Sequence, residues 1–267
     1  MNGVPKKMSL SESPASAPEL TFNGPVAVLR LCRPEQANRL EYDDLKVLRQ
    51  HFLQLRGDHQ RIRALVLTGS GRHFSAGFDL GAIDSAVEGN ASEVFAEMVD
   101  ALEALPQTTI CAINGGVFGG STDLALACDF RLGVHETRMF MPAARFGLHY
   151  YESGLRRYLT RLGLNNAKRL FLLAEELDAS QLLEIGYLTG IVSRDRLHEE
   201  ALSIARRVSA LAPLASAGMK AALNAMAAGS YDAEEGIRAY RACMASADLR
   251  EGVAALREKR SPAFQGL

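Results

Sequence analysis

"GGVFGGSTDLALACDF", residues 115–130, sets two glycine pairs ahead of a carboxylate, Asp123, and then an apolar run. The stretch before it, TTICAING (Thr108–Gly115), has the β-branched and apolar content of a buried strand. The stretch Gly119–Ala127 reads as a helix. A strand that runs through a glycine loop into a helix start presents unpaired N–H groups at the positive end of a dipole. Glycine lets a ligand approach that backbone closely. Such a place suits an anion or a developing oxyanion. No Gly-Lys-Ser/Thr follows, which excludes a Walker loop, and the glycine spacing is not GxGxxG. Alone, the stretch fits close helix–strand packing without a ligand equally well.

A second stretch repeats the design. "TGSGRHFSAGFDLGAI" (Thr68–Ile83) follows the apolar run ALVLTG (Ala64–Gly69) and places Ser75-Ala76-Gly77 ahead of Asp79. Two such turns can aim two backbone N–H groups at one oxygen. Around them, VAVLRL (Val26–Leu31) reads as a strand, and Leu45, Leu48, Phe52 and Leu55 mark a helix over Glu41–Leu55. A helix is expected over Ala91–Leu105, stopped by Pro106, with short strands at FRLGV and RMFM. From Ser153 the pattern is helical apart from Gly190–Val192. An alternating α/β part thus precedes a helical part, with the change near residues 190 to 210.

The chain has 267 residues, a net charge of -1 and 48% hydrophobic residues. That balance gives no general attraction to nucleic acid or acidic membranes. No apolar run is long enough for a membrane span. Cys32, Cys111, Cys128 and Cys243 lie far apart without a CxxC pair; the first three sit among apolar residues and read as reduced core thiols, which points to a cytoplasmic setting. The six histidines lack metal-ligand spacing, so no metal is expected. Residues 1–20, biased to Ser, Pro and Ala, read as a disordered arm.

FSAGFDL (Phe74–Leu80) resembles the FxAGxDL signature of the enoyl-CoA hydratase/isomerase (crotonase) superfamily, and AINGGVFGGSTDLALACDFRLG (Ala112–Gly133) resembles its second signature. LCRPEQANRL (Leu31–Leu40) is similar to the family's LNRPxxxNAL segment, and LREGVAALREKRSPAFQG (Leu249–Gly266) to its tail. The likeness covers about residues 20 to 266. It implies an α/β fold: a crotonase-like spiral of ββα units over residues 21–205, with a C-terminal helical oligomerisation region over residues 206–267 that makes trimers or dimers of trimers. It implies an acyl-CoA substrate, with coenzyme A entering as part of that substrate and no permanently bound cofactor. The backbone N–H groups of Phe78 and Gly120 would grip the thioester oxygen and stabilise an enolate.

Hydratases of the family add two glutamates. The first falls at Asp123, shorter by one methylene; the second falls at Ala143, so that carboxylate is missing. A carboxyl group buried beside an apolar pocket tends to keep its proton, which suits a general acid. The loop FGLHYYESG (Phe146–Gly154) offers replacements. Tyr150 matches a tyrosine of the similar methylmalonyl-CoA decarboxylase, Tyr151 matches a catalytic aspartate of a family dehalogenase, and His149 and Glu152 are titratable neighbours, although Glu152 equally suits a helix start. Gln36, Ala37 and Arg39 match the place where the family holds CoA, Ala76, Gly77, Asp79 and Leu80 shape the adenine pocket from the other side, and Lys259 joins Arg39 as a candidate phosphate partner. Asp79 fits a structural part in its turn better than a catalytic one. Residues 84–98 are expected to border the acyl pocket. The leading expectation is a hydratase-type lyase with an atypical carboxylate set. An acyl-CoA decarboxylase or thioester hydrolase is the alternative, and a non-catalytic CoA- or RNA-binding relative is a reading of another class.

Overall fold

The computed structural model describes residues 17–79 and 91–267. Its strands are β1 (Glu19–Asn23), β2 (Val26–Leu31), β3 (Ala64–Gly69), β4 (Thr108–Ile113), β5 (Val117–Phe118), β6 (Phe130–Val134), β7 (Arg138–Phe140), β8 (Leu177–Asp178) and β9 (Gly190–Val192). Its helices are α1 (Tyr42–Gly57), α2 (Ala91–Glu103), α3 (Ser121–Leu126), α4 (Glu152–Leu162), α5 (Leu164–Leu172), α6 (Ala179–Glu184), α7 (Leu197–Ser209), α8 (Pro213–Ala227), α9 (Ala233–Ala245) and α10 (Ala247–Glu258). Six strands form one sheet in the order β1-β2-β3-β4-β6-β9, and β5, β7 and β8 form a second. Within the large sheet β1 runs antiparallel to β2, and every other pairing is parallel. The fold is α/β, as the alternating pattern predicts.

The central strands read as continuous apolar runs because both faces of the sheet are covered. Val26, Val28, Ala64, Val66, Ile110 and Ala112 face one way, against Leu197, Ala201 and Ala205 of α7. The alternate residues Leu29, Leu31, Leu65, Leu67, Cys111 and Ile113 face the main core, which takes in Leu45, Leu48 and Phe52 of α1 and Met98, Val99 and Leu102 of α2. A capping box between Glu41 and Asp44 starts α1.

Several elements differ from their sequence expectation. Strand β1 begins at Glu19, inside the stretch read as a disordered arm, and the carbonyl of Pro18 accepts from His51; residues 1–16 lie outside the described residues. The helix expected from Gly119 begins at Ser121, because Gly119 sits at φ +55° in the preceding turn. Helix α7 crosses the expected 205/206 boundary, since Ala205 still packs on the sheet and Ser209 is buried. Cys32 is half-buried rather than a core thiol, while Cys111 and Cys128 are buried; all four cysteines are free. Among the described residues no helix is long and apolar enough to cross a membrane, and no cluster of three or more His, Cys, Asp or Glu is arranged to hold a metal ion.

Leu67 is fully buried near the end of β3, just before the Ser70–Asp79 segment. Leu67→Ala is expected to cost about 2–5 kcal/mol of unfolding free energy through lost burial and a residual cavity, measured as a shift of the urea unfolding midpoint.

Candidate active site

Strands β3 and β4 are parallel neighbours, with Leu67 beside Cys111 and Thr68 beside Ala112. Both chains therefore leave the sheet at the same edge, where ligands gather in open parallel sheets. Hydrogen bonds stitch the two exiting segments together. Phe74 N–H donates to the Gly116 carbonyl (2.9 Å), and Phe118 N–H (3.0 Å) and Ser121 Oγ (2.9 Å) both donate to the Ser75 carbonyl. Gly77 turns at φ +89°, and a Cβ there would stand 2.6 Å from the Phe118 oxygen and 2.9 Å from the Gly120 nitrogen. Only glycine permits that approach. The expected turns around Phe78 and Gly120 thus abut.

Leu40 pairs with Phe78 as a parallel bridge. Leu40 N–H bonds the Gly77 carbonyl and Asp79 N–H bonds the Leu40 carbonyl, so the Phe78 N–H between them is directed away from that bridge. Neither the Phe78 nor the Gly120 amide donates to a protein acceptor among the described residues. Phe95 of α2 roofs this place. Its ring atoms lie 2.8–3.3 Å from where a Gly120 Cβ would stand, and its centroid is 5.9 Å from that of Phe78.

The segment Gln36–Leu40 is drawn against the first turn. Ala76 N–H bonds the Ala37 carbonyl (2.8 Å) and Ser75 Oγ bonds the Asn38 carbonyl (2.7 Å). The Asn38 side chain, buried, accepts from Arg33 N–H and Ser70 Oγ and donates to the Ser70 and His73 carbonyls. Gln36, Ala37, Arg39, Ala76, Gly77 and Asp79 are thereby neighbours, as the sequence suggests, with Gln36 exposed. Arg39 is not free to reach outward: it pairs with Glu41 and Asp79, both at 3.3 Å. Lys259 is exposed where α10 ends, at φ +55°. Leu80 lies outside the described residues, as do residues 84–90 of the stretch expected at the acyl pocket.

Asp123 is not an unpaired carboxylate facing an apolar pocket. It has no exposed surface and is gripped by Arg157, Nε to Oδ1 at 2.9 Å and Nη2 to Oδ2 at 2.7 Å. The Tyr151 hydroxyl also donates to Oδ2. Arg157, itself fully buried, reaches Asp100 (2.6 Å) and Glu103 (3.1 Å), and Glu103 pairs further with Arg156 (2.8 Å) and Arg161 (2.9 Å). Burial alone would lower the affinity of Arg157 for its proton; the hydrogen bonds and charge of Asp123 reverse this and raise it. Burial would likewise raise the Glu103 carboxyl, but Arg157, Arg156 and Arg161 outweigh it and hold the group below its ordinary range. Helix α3, buried along its whole length, is also pinned by the Tyr158 hydroxyl on Thr122 Oγ1 (2.5 Å) and by the Tyr187 hydroxyl on the Thr122 carbonyl (2.8 Å).

The loop before α4 sorts its candidates. Tyr150 is buried against Tyr158 and Phe171 and stacks on Tyr151 at 4.4 Å. Tyr151 is half-buried and meets Phe95 edge-on at 6.1 Å. His149 is exposed. Glu152 is exposed in the first turn of α4, with no hydrogen bond or ion pair from its carboxylate among the described residues. Ala143 is buried and supplies no acid. Sequence reasoning missed Arg157. Its signal was Asp123 itself: a carboxylate in an apolar buried helix requires a cation.

Glu103 contributes stability that is present above the ordinary carboxylate value near 4.5 and is lost as pH falls through its lowered folded value. The melting temperature is expected to drop on acidification through that window. Glu103→Gln should be less stable at neutral pH and show a shallower acid-side fall, read by thermal scans from pH 7 downward.

A family model described as enoyl-CoA hydratase/isomerase matches residues 21–266. Carnitinyl-CoA dehydratase of Salmonella typhi is 31% identical over 262 residues, spanning 92% of this chain and 97% of the relative. The structure resembles an enoyl-CoA hydratase from Bacillus anthracis, with TM-score 0.86, 28% identity, and coverage of 94% of this chain and 99% of that chain. It also resembles Pseudomonas aeruginosa DspI, with TM-score 0.87, 32% identity, and coverage of 96% and 100%. With matching signatures, matching fold and a match along nearly its whole length, the chain belongs to the enoyl-CoA hydratase/isomerase family and has the crotonase fold.

Proposed function

We propose that the protein is an acyl-CoA lyase that adds water to, or removes it from, the Cα–Cβ bond of an acyl-CoA thioester. The observation that carries the reading is the meeting of two stitched turns whose Phe78 and Gly120 amides have no acceptor among the described residues. A thioester carbonyl placed there would receive both N–H groups, and they would stabilise the enolate oxygen that forms when Cα carries the negative charge. The names of the relatives, a dehydratase and a hydratase, support the direction of the chemistry. Residues 36–39 and 76–79 would flank the CoA part. Lys259 on its exposed turn is a phosphate partner in this reading, whereas Arg39, already paired with two acids, would first orient Asp79 and Glu41. Glu152, exposed, is left as a helix-start charge.

A decarboxylase reading is favoured by one observation, the absence of a carboxylate at Ala143. The two separate by product. Incubation with crotonyl-CoA is expected to bleach the conjugated enoyl thioester absorbance; carbon dioxide release from methylmalonyl-CoA without that bleaching would replace the lyase by the decarboxylase. Gly77→Ala, which forces a methyl against the Phe118 oxygen and the Gly120 nitrogen, is expected to cut kcat by about a hundredfold or more, the cost of losing one oxyanion donor.

The C-terminal region supports a homo-oligomer in the same reading. Helices α8 and α9 bury no residue within the chain, and Met219, Leu223, Met226, Ile237, Tyr240 and Met244 are exposed. Apolar surface of that extent calls for a partner, and a second and third copy of this chain would supply it. Sedimentation velocity is expected to show a trimer or a dimer of trimers; a monomer at micromolar concentration would refute the assignment.

A further inference from the structure

Asp123 sits where the chemistry needs a carboxylate, yet it has no surface from which to touch a substrate. Its two side-chain partners differ. Arg157 is fully buried as well, whereas Tyr151 is half-buried and lines the same aromatic group as Phe95, which covers Gly120. The Tyr151 phenol gives its proton to Asp123 Oδ2 and its oxygen accepts from the Tyr150 hydroxyl at 3.5 Å, which leaves one lone pair for a group outside. We propose that Tyr151 and Asp123 form a relay, in which Tyr151 is the catalytic residue that meets water and the substrate's Cα, and Asp123 acts through it. This rests on the acyl-CoA lyase reading and supplies the proton chemistry which that reading lacks at Ala143.

The step balances with one dyad. In hydration a water proton passes to Tyr151 Oη while the phenol proton passes to Asp123 Oδ2. The water oxygen bonds Cβ, the π pair of the Cα=Cβ bond moves into the enolate, and the charge rests on the thioester oxygen. Asp123 then returns its proton to Tyr151, and the proton Tyr151 held goes to Cα. Water has been split between Cα and Cβ, and the dyad is restored. Dehydration is the reverse. Three features suit the task. Burial, reinforced by the charge of Asp123, pushes the Tyr151 phenol well above its ordinary range, so it rests protonated. Arg157 keeps Asp100 and Glu103 while Asp123 is transiently neutral, so it is never left buried and unpaired. The stack on Tyr150 and the edge contact with Phe95 fix the ring, which shortens no bond but removes the freedom to swing.

The test is Tyr151→Phe in the full chain, which keeps the ring contacts and deletes the hydroxyl. Two readouts are taken: hydration of crotonyl-CoA, and exchange of the Cα protons of butyryl-CoA in D2O followed by NMR. The expected result is a fall of about a hundredfold or more in both rates, with KM and melting temperature within about threefold and a few degrees of the parent. A variant that hydrates and exchanges within about threefold of the parent overturns the relay while leaving the lyase reading intact. If the variant does not fold, site-specific incorporation of 3-fluorotyrosine at Tyr151, which lowers the phenol pKa at nearly constant shape, must shift the hydration rate; an unchanged rate overturns the relay. A parent protein that neither hydrates crotonyl-CoA nor exchanges the Cα protons removes the lyase reading, and the relay with it.

Discussion

Everything at the site descends from the side-by-side parallel pairing of β3 with β4. Because their register sets Thr68 beside Ala112, the Ser70–Asp79 and Asn114–Gly120 segments leave the sheet together. The Ser75 carbonyl then accepts from both Phe118 N–H and Ser121 Oγ. Hydrogen bonds across a buried gap leave little freedom, since an unpaired partner in such a place costs more than the bond yields. The abutting glycines are a consequence: with the strands this close, Gly77 has no room for even a methyl group.

A second constraint is electrostatic. Helix α3 is buried from Ser121 to Leu126 and carries Asp123 inward. A buried charge persists only when paired, and the pairing runs through Arg157 into Asp100 and Glu103, with Arg156 and Arg161 beyond. Arg161 and Arg131 meanwhile donate to the Leu126 and Cys128 carbonyls at the other end of α3, where cations oppose the helix dipole. One short helix is thus clamped by charge at both its first turn and its last.

The central strands and the two glycine turns were legible in the sequence, because a continuous apolar run ending in Gly-Ser-Gly or Gly-Gly is the pattern of a buried strand entering a tight turn. Strand β1 was not legible: most of its residues, as in Glu19 and Thr21–Asn23, are exposed and carry no alternation. Strands β5 and β8 have two residues each, too few for a period. At the site, Asp123 was found but its environment was not, since Arg156 and Arg157 are adjacent in sequence and only the helix turn decides that Arg157 points in. Glu152 drew attention as the nearest acid, yet the backbone at the start of α4 turns Tyr151 toward Asp123 and leaves Glu152 outside.

Helix α2 has a mechanical side. One turn of it lays Phe95 over Gly120, and the end of it delivers Asp100 and Glu103 to Arg157. A rod with its tip over the Gly120 turn and its heel in a charge cluster has the shape of a lever. On the proposed reading, an acyl chain bulky enough to lift the Phe95 ring would pry at the ion pairs behind it, so the tolerance for large substrates would be bounded by how much electrostatic order the heel surrenders.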